Sequence, residues 1–171
     1  MKTAIYPGSF DPVTLGHLDI LERASRIFDH VTVVVMQSRR KDYWFSPEKR
    51  VEMLWKSAGY LSNVTVDRSD SLLADYCAQK RGAVVVKGLR AMSDFELEFQ
   101  MTMMNRKLNH TLDTVFLMAG ERFQYLSSSA VKEVASFGGN VFEFIPPEIA
   151  DDVISCVQTR KHMENQKKGE A

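Results

Sequence analysis

The sequence has little cysteine, no long hydrophobic run and no excess of charge of either sign, and each shortage excludes a class of protein. Cys77 and Cys156 are far apart in a chain of 171 residues and lie in helix-like segments. We therefore expect two small buried residues rather than a disulfide or a metal pair. No stretch approaches the ~20 consecutive apolar residues of a membrane helix, so we expect no membrane partner. The first residues lack a long apolar segment, which predicts no signal peptide and a cytoplasmic location.

The charges balance, with 22 lysines and arginines against 22 aspartates and glutamates. A protein that coats nucleic acid needs excess positive charge, so we expect no nucleic-acid partner, although a local basic pocket remains compatible with this balance. Hydrophobic residues at 44% and charged residues at 26% are typical of a globular protein and exclude a wholly disordered chain. The length fits one domain, which we assign to residues 1–163, followed by a polar, frayed tail at residues 164–171.

Extended and helical patterns alternate along nearly the whole chain. Short apolar and β-branched runs predict strands at residues 3–6, 31–36, 64–66, 83–86, 114–118 and 141–145. Amphipathic spacing and capping residues predict helices at residues 17–28, 47–59, 72–80, 93–108, 127–137 and 149–161. This alternation predicts a single-domain α/β protein with a doubly wound parallel sheet and helices on both faces. Ligands of such sheets bind beyond the carboxyl ends of the strands, where the strand order reverses.

The first strand-to-helix loop places a histidine where an anion would bind. Neither a P-loop nor a G-x-G-x-x-G fingerprint is present; the loop instead reads Gly-Ser-Phe-Asp-Pro-Val-Thr-Leu-Gly-His over residues 8–17. Thr14 can cap a helix that begins near Gly16, which puts His17 beside unpaired backbone N–H groups. A lone histidine at a helix start is more often solvated or structural. Here its imidazole N–H could also donate to a phosphate oxygen and stabilise a transition state.

Three further loops supply positive charge and hydroxyl groups. Lys41 follows the second predicted strand, whereas its neighbours at residues 39–40 read as solvated cations. Lys87 and Arg90 follow the strand at residues 83–86, and arginine can contact two phosphate oxygens at once. Three serines at residues 127–129 open a helix, where hydroxyls and unpaired N–H groups suit the β- and γ-phosphates of a nucleotide. One serine would suffice as a cap, so capping alone explains the run incompletely.

Together these segments resemble the bacterial phosphopantetheine adenylyltransferases of the nucleotidylyltransferase superfamily. The loop Tyr6-Pro7-Gly8-Ser9-Phe10-Asp11-Pro12 with Gly16-His17 is typical of the whole superfamily. The pairing of Lys87-Gly88-Leu89-Arg90 with Asp94-Phe95-Glu96-Leu97-Glu98 is more specific to this family. Met104-Asn105 and the segment from Ser127 to Glu133 complete the likeness, which spans residues 3 to about 150.

The resemblance implies a Rossmann-like nucleotidylyltransferase fold and the transfer of AMP from ATP to 4′-phosphopantetheine. The products would be dephospho-coenzyme A and pyrophosphate, formed by in-line attack without a covalent enzyme intermediate. Mg²⁺ would be bound with the ATP phosphates rather than by protein ligands, and the assembly would be a homohexamer. The implied catalytic residues are His17 and Lys41, and the implied contacts to phosphopantetheine are Ser9, Lys41, Leu73 and Lys87. The implied ATP contacts are Ser9, Phe10, His17, Gly88, Leu89, Arg90, Glu98, Phe123, Gln124, Tyr125, Leu126, Ser127, Ser128 and Ser129.

The sequence departs from the family pattern at three of these positions. Ser9 stands where threonine is common and keeps the hydroxyl, and Phe123 stands where tryptophan or tyrosine is common and keeps the ring. Lys87 stands where arginine is common. Lysine forfeits the bidentate contact that arginine makes, so Lys87 would act as a point charge.

The predicted helix at residues 93–108 has apolar residues on two sides. At ~100° per residue, one stripe holds Phe95, Phe99 and Met103. The other, roughly opposite, holds Leu97, Met101, Met104 and Leu108. Two apolar faces need two partners, one of which is the sheet. The second partner is either the terminal helix or another subunit, and the homohexamer implied by the resemblance favours the subunit.

Two other functions stay open at this point. A related nucleotidylyltransferase would act on nicotinate mononucleotide or a polyol phosphate, and its product, a dinucleotide in the first case, would distinguish it. A catalytically silent nucleotide-binding protein is the other alternative. His17 together with Lys41 favours an enzyme, since a mere binder gains little from placing cations on both sides of a reacting phosphorus.

Overall fold

The structure is a computed structural model that describes residues 2–38, 42–80 and 82–169. Strands and helices alternate through it, as predicted. The strands are β1 (Thr3–Gly8), β2 (His30–Met36), β3 (Val64–Ser69), β4 (Ala83–Leu89) and β5 (Thr114–Met118). The helices are α1 (Leu15–Ile27), α2 (Pro47–Ala58), α3 (Leu73–Ala78), α4 (Met92–Leu108), α5 (Ser128–Ser136) and α6 (Ala150–Gly169), with 3₁₀ turns at Glu121–Phe123 and Pro147–Ile149. Within these ranges, no helix has the length and apolarity needed to cross a bilayer.

All five strands are parallel and lie in the order β3-β2-β1-β4-β5. The chain builds outward from β1 through β2 and β3, then crosses to the other side of β1 to form β4 and β5. The strand order therefore reverses between β1 and β4. A crevice opens at such a reversal, beyond the carboxyl ends of the two strands. The predicted doubly wound parallel sheet is confirmed.

The sheet is buried on both faces because alternate residues of its strands enter two hydrophobic clusters. Tyr6 and Val33 pack on one face with side chains of α1, α2, α5 and α6. Ile5 and Val34 pack on the other face with side chains of α3, Cys77 among them. Neither cysteine is in a disulfide, and Cys156 on α6 is partly buried against the first cluster. The β-branched runs thus form strands that are buried on both faces, as is typical of parallel sheets.

Two predicted elements differ from the observed chain at its carboxyl end. Residues 141–145 form turns rather than a strand. Val141 and Ile145 are buried in the core, but the Phe144 carbonyl accepts from Leu15 N–H (2.9 Å), at the start of α1, instead of from a strand. Helix α6 runs to Gly169 rather than ending near residue 161, and the frayed tail at residues 164–171 stays a prediction. The domain boundary at residue 163 stays a prediction.

Helix α4 begins at Met92, and the predicted capping box at Ser93 is wrong. Its N-cap residue is Ala91, which has no side chain able to cap. The carboxylate of Asp94 turns back instead to the backbone N–H of Arg90 (3.2 Å). Asp94 thus contacts the residue that follows β4, and the predicted cap of Ser93 with Glu96 does not form.

Candidate active site

A cavity of about 560 Å³ lies at the carboxyl ends of β1 and β4, where the strand order reverses. Its walls come from the loop after β1, the ends of β2 and β4, the inner face of α4 and the start of α5. The sheet topology predicted a ligand site at this place. The cavity brings together most of the residues selected from the sequence.

Thirteen of the predicted site residues line this cavity: Ser9, Phe10, His17, Leu73, Lys87, Gly88, Arg90, Glu98, Phe123, Leu126, Ser127, Ser128 and Ser129. Three others do not line it. Leu89 is buried in the core, and Gln124 and Tyr125 are exposed, with the Tyr125 ring packed edge-on against Phe144. Lys41 lies outside the described residues, as do the two arginines before it.

His17 and Thr14 cap each other at the start of α1. The Thr14 hydroxyl accepts from His17 N–H (3.3 Å), and His17 Nδ1 accepts from Thr14 N–H (3.0 Å). A backbone N–H can only donate, so Nδ1 must carry no proton. The neutral ring therefore has its proton on Nε2, which makes Nε2 a hydrogen-bond donor. Thr14 was predicted as the cap, whereas the return bond to the imidazole was not foreseen.

The imidazole of His17 is held in its neutral form. Burial and the nearby positive charge of Arg90 lower its pKa from 6.5 to about 4. The ring packs edge-on against Phe10, with ring centres 5.0 Å apart. At neutral pH, His17 therefore offers an N–H donor without a positive charge.

Glycine is required in two places by close packing. A Cβ on Gly8 would lie 2.7 Å from the Phe10 ring, whose own backbone takes the left-handed conformation (φ 49°). A Cβ on Gly88 would lie 2.9 Å from Ile20, so α1 can pack closely against β4. The contact at Gly88 thus brings α1, which carries His17, up to the end of β4.

Arg90 is oriented by a bidentate ion pair with Asp94. Its Nε and one terminal nitrogen donate to the two carboxylate oxygens at 2.9 and 3.0 Å. The other terminal nitrogen donates to the Leu126 carbonyl (3.3 Å), beside the start of α5. These bonds fix the plane of the guanidinium at the cavity wall. Asp94 is a positioning residue, a role that the sequence did not predict.

Lys87 and Glu98 form an ion pair across the cavity wall, with 3.1 Å between the ammonium and the carboxylate. Lys87 lies near the carboxyl end of β4, and Glu98 projects from α4. The resemblance assigns them to different substrates. Their contact places the two assigned binding regions next to each other.

Asp11 joins three segments of the site. Its carboxylate accepts from the backbone N–H groups of Trp44 and Phe45 at 2.9–3.1 Å and pairs with Lys132 of α5 (3.0 Å). It is 2% exposed. The loop after β1 is thereby tied to the end of the loop after β2 and to α5. These contacts of Asp11 could not be predicted from the sequence, because partners separated by 121 residues leave no local signal.

The three serines at the start of α5 have different contacts. Ser127 is the N-cap and accepts from Ala130 N–H (3.0 Å), and the Ser128 hydroxyl donates to the Pro12 carbonyl (2.7 Å). Ser129 is exposed at the cavity and has no side-chain hydrogen bond to another described residue. The expectation that one serine caps the helix is confirmed. The helix start faces the cavity with its unpaired N–H groups.

Acidic side chains at the site are each engaged by a cation. Asp94, Glu98 and Asp11 pair with Arg90, Lys87 and Lys132. In residues 2–38, 42–80 and 82–169, no group of three or more histidine, cysteine or acidic side chains could hold a metal ion. Two of the cations held by these acids, Arg90 and Lys87, line the cavity, where they are suited to contact an anion.

Comparisons with known proteins show what the chain as a whole is similar to. Residues 5–134 match the family model described as cytidylyltransferase-like. A solved nicotinic acid mononucleotide adenylyltransferase of Plasmodium falciparum superposes with a TM-score of 0.65 at 14% identity, covering 94% of this chain and 96% of that one. At that identity the likeness shows the fold alone.

Closer relatives narrow the class. The phosphopantetheine adenylyltransferase of Clostridium botulinum (strain Hall) is 47% identical over 94% of this chain and 98% of its own length. The enzyme of the same name from Nostoc sp. is 48% identical over 90% of this chain and 80% of its own. The chain therefore belongs to the phosphopantetheine adenylyltransferase family, within the cytidylyltransferase-like class.

The low pKa of His17 predicts an acid-sensitive contribution to stability. The unfolded chain binds the proton near pH 6.5 and the folded chain only near pH 4. The contribution of His17 to the free energy of unfolding is thus complete above pH 6.5 and is lost as the pH falls toward 4. We expect His17 to account for a loss of roughly 1–2 kcal/mol in unfolding free energy between pH 7 and pH 5.

The variant His17→Gln isolates this effect, since glutamine at the same position can still accept from Thr14 N–H but does not titrate. Urea unfolding at pH 7 and pH 5 should show a smaller acid loss for the variant than for the native protein. Equal losses in both proteins would contradict the assignment.

Proposed function

We propose that this chain transfers AMP from ATP to 4′-phosphopantetheine, giving dephospho-coenzyme A and pyrophosphate. The observation that supports this most is the convergence of His17, Lys87, Arg90 and the start of α5 on one cavity at the β1–β4 reversal. The chain also belongs to the family of that name. An adenylyl transfer needs two polyanions held end to end, and this cavity is surrounded by cations and N–H donors.

The reaction we propose is a single in-line displacement. A phosphate oxygen of phosphopantetheine forms a bond to the α-phosphorus of ATP, while the bond from that phosphorus to the bridging oxygen of pyrophosphate breaks. The attacking phosphate is already an anion, so no strong base and no covalent enzyme intermediate are needed. Charge grows on the α-phosphate oxygens in the transition state. His17 Nε2–H would donate to one of them at that point.

On the ATP side, we assign the triphosphate to Arg90 and to the start of α5. The guanidinium is fixed by Asp94, and Ser129 and the helix N–H groups face the same space. Phe10, Gly88, Glu98, Phe123 and Leu126 would complete the ATP contacts at the cavity wall. The assignments of Leu89, Gln124 and Tyr125 stay predictions. Magnesium would enter as the complex with ATP, held by its phosphates.

On the acceptor side, we assign the phosphate of phosphopantetheine to Ser9 and Lys41 and its pantetheine arm to Leu73 and Lys87. Leu73 lies at the start of α3, and Leu97, Met101 and Asn105 of α4 line the same part of the wall. This apolar wall suits an arm without charge. The contact of Lys41 rests on the resemblance alone.

A coupled assay of pyrophosphate release tests the proposed function. Pyrophosphate and dephospho-coenzyme A should form from ATP with phosphopantetheine. Replacing phosphopantetheine with nicotinate mononucleotide or a polyol phosphate should give no turnover. Dinucleotide formation would instead favour the related nucleotidylyltransferase, and binding of ATP without any turnover would favour a silent nucleotide-binding protein.

We propose a cytoplasmic location and a homohexamer. Both cysteines are unpaired thiols, in keeping with a reducing compartment. Helix α4 has no buried residue, although it is rich in apolar side chains. It packs on α3 and β4 and through Phe95 on Phe116, while α6 packs on α5. Leu97, Met104 and Leu108 are each more than half exposed, so a neighbouring subunit is the better of the two partners considered for this face.

Removing the imidazole should affect the chemical step more than binding. We expect His17→Ala to lower kcat by about 10² or more while the KM values change little, because the Nε2 donor acts on charge that develops in the transition state. The measurement is steady-state pyrophosphate release with both substrates varied. Turnover close to that of the native protein would remove His17 from the mechanism.

Substitutions of Arg90 and of Lys87 should weaken the binding of different substrates. Arg90→Ala should weaken ATP binding by about 1.5–3 kcal/mol, since a charge-assisted bond is lost. Lys87→Ala should weaken phosphopantetheine binding, and Lys87→Arg should be tolerated because the charge is kept. Calorimetric titration of each ligand measures both. The control is Arg106→Ala, at the exposed end of α4. Loss of the same ligand in both alanine variants would contradict the assignment.

The exposed face of α4 should hold the subunits together. Met101 lines the cavity, so Met104, which does not, is the better probe of assembly. Met104→Glu should give a smaller particle, because a charge would enter an apolar interface. Light scattering after gel filtration measures the mass, and Met163→Glu on exposed α6 is the control. A native monomer, or an unchanged mass in the variant, would contradict the proposal.

A further inference from the structure

Arg50 on α2 is a charged side chain with no exposed surface, directly behind the acceptor side of the cavity. One of its terminal nitrogens donates to the Ser9 carbonyl (2.8 Å) and makes a longer contact to the Met36 carbonyl (3.4 Å). Its guanidinium carbon lies 4.1 Å from the centre of the Tyr43 ring. Arg50 thus contacts the ends of β1 and β2 and the loop between β2 and α2.

This buried cation has no partner of opposite charge in the described parts of the chain. No carboxylate forms an ion pair with it there, and its Nε and second terminal nitrogen have no hydrogen-bond acceptor. Asp11 is the acid that acts on it most strongly, but the Asp11 carboxylate is already engaged by Lys132, Trp44 N–H and Phe45 N–H. Burial accordingly lowers the Arg50 pKa, against smaller opposite effects of Asp11, of the Tyr43 hydroxyl and of Glu48.

An uncompensated buried charge is unfavourable, and a fold of this size contains few of them. An arginine nevertheless stays protonated at neutral pH. The protein between Arg50 and the nearest part of the cavity wall has a low dielectric constant. It therefore screens the positive charge of Arg50 only weakly from a ligand bound at that wall. That surface is the cavity wall formed by Ser9, to whose carbonyl Arg50 is bonded.

We propose that Arg50 is a positioning residue for the acceptor phosphate: it fixes the Ser9 segment and supplies a buried positive charge that the phosphate neutralises. This inference rests on the proposed function, because it takes the anion beside Ser9 to be the phosphate of phosphopantetheine. Arg50 does not reach the cavity surface itself, so it acts through Ser9 and through the field rather than by contact.

The test compares R50Q, which removes the charge but keeps a donor, with R50K, which keeps the charge. Each protein is titrated with phosphopantetheine, with pantetheine, which lacks the phosphate, and with ATP. We expect R50Q to weaken phosphopantetheine binding at least about tenfold and to change pantetheine and ATP binding less than twofold. R50K should recover most of the loss. K56Q, an exposed lysine of the same helix, is the control.

A merely structural role would weaken pantetheine binding as much as phosphopantetheine binding, and that result would overturn the proposal. So would an R50K protein as weak as R50Q. If native protein fails to release pyrophosphate from ATP and phosphopantetheine, the proposed function fails first and is distinguished from this inference.

A measurement on the native protein tests the role of Arg50 even where a variant does not fold. The Arg50 Nε–H is buried, so its ¹⁵N–¹H signal should be protected from exchange. Titration with inorganic phosphate should shift this signal saturably, whereas chloride at equal ionic strength should not. An Arg50 signal that phosphate leaves unmoved would overturn the proposal.

Discussion

The chemistry of this site depends on the reciprocal cap between Thr14 and His17. A helix start leaves N–H groups unpaired, and here the imidazole satisfies one of them through Nδ1. That bond fixes the orientation of the ring and places its proton on Nε2. The same burial that holds the ring keeps it neutral, since its pKa falls to about 4. Local helix capping thereby produces a directed hydrogen-bond donor at the carboxyl ends of the strands.

A chain without net charge can still bind two polyanions because its charges are paired in a particular way. At the cavity, Asp94 orients Arg90, and Glu98 lies against Lys87. These acids hold the cations in position before a substrate arrives, which lowers the ordering that binding requires. Within residues 2–38, 42–80 and 82–169, Arg50 differs from these cations, because it is buried and forms no ion pair with an acid. In our proposal, the acceptor phosphate supplies the negative charge that Arg50 lacks.

Much of this could be predicted from local sequence. The β-branched runs specify strands buried on both faces, and Thr14 and Ser127 are recognisable caps. Contacts between distant segments could not be predicted in this way. The ion pair of Asp11 with Lys132 and the burial of Arg50 have no periodic signature, because they arise only when the sheet brings the loops together. Residues 141–145 show the same limit, since an apolar run is buried in turns when no strand edge is beside it.

The imidazole of His17 is neutral and carries its proton on Nε2. The ¹⁵N chemical shifts of its two ring nitrogens, recorded in histidine-labelled protein between pH 5.5 and 8, measure this most directly. We expect an unprotonated Nδ1 and a protonated Nε2 across this whole range, with no titration. A ring that becomes doubly protonated near pH 6.5, or one that carries its proton on Nδ1, would contradict it.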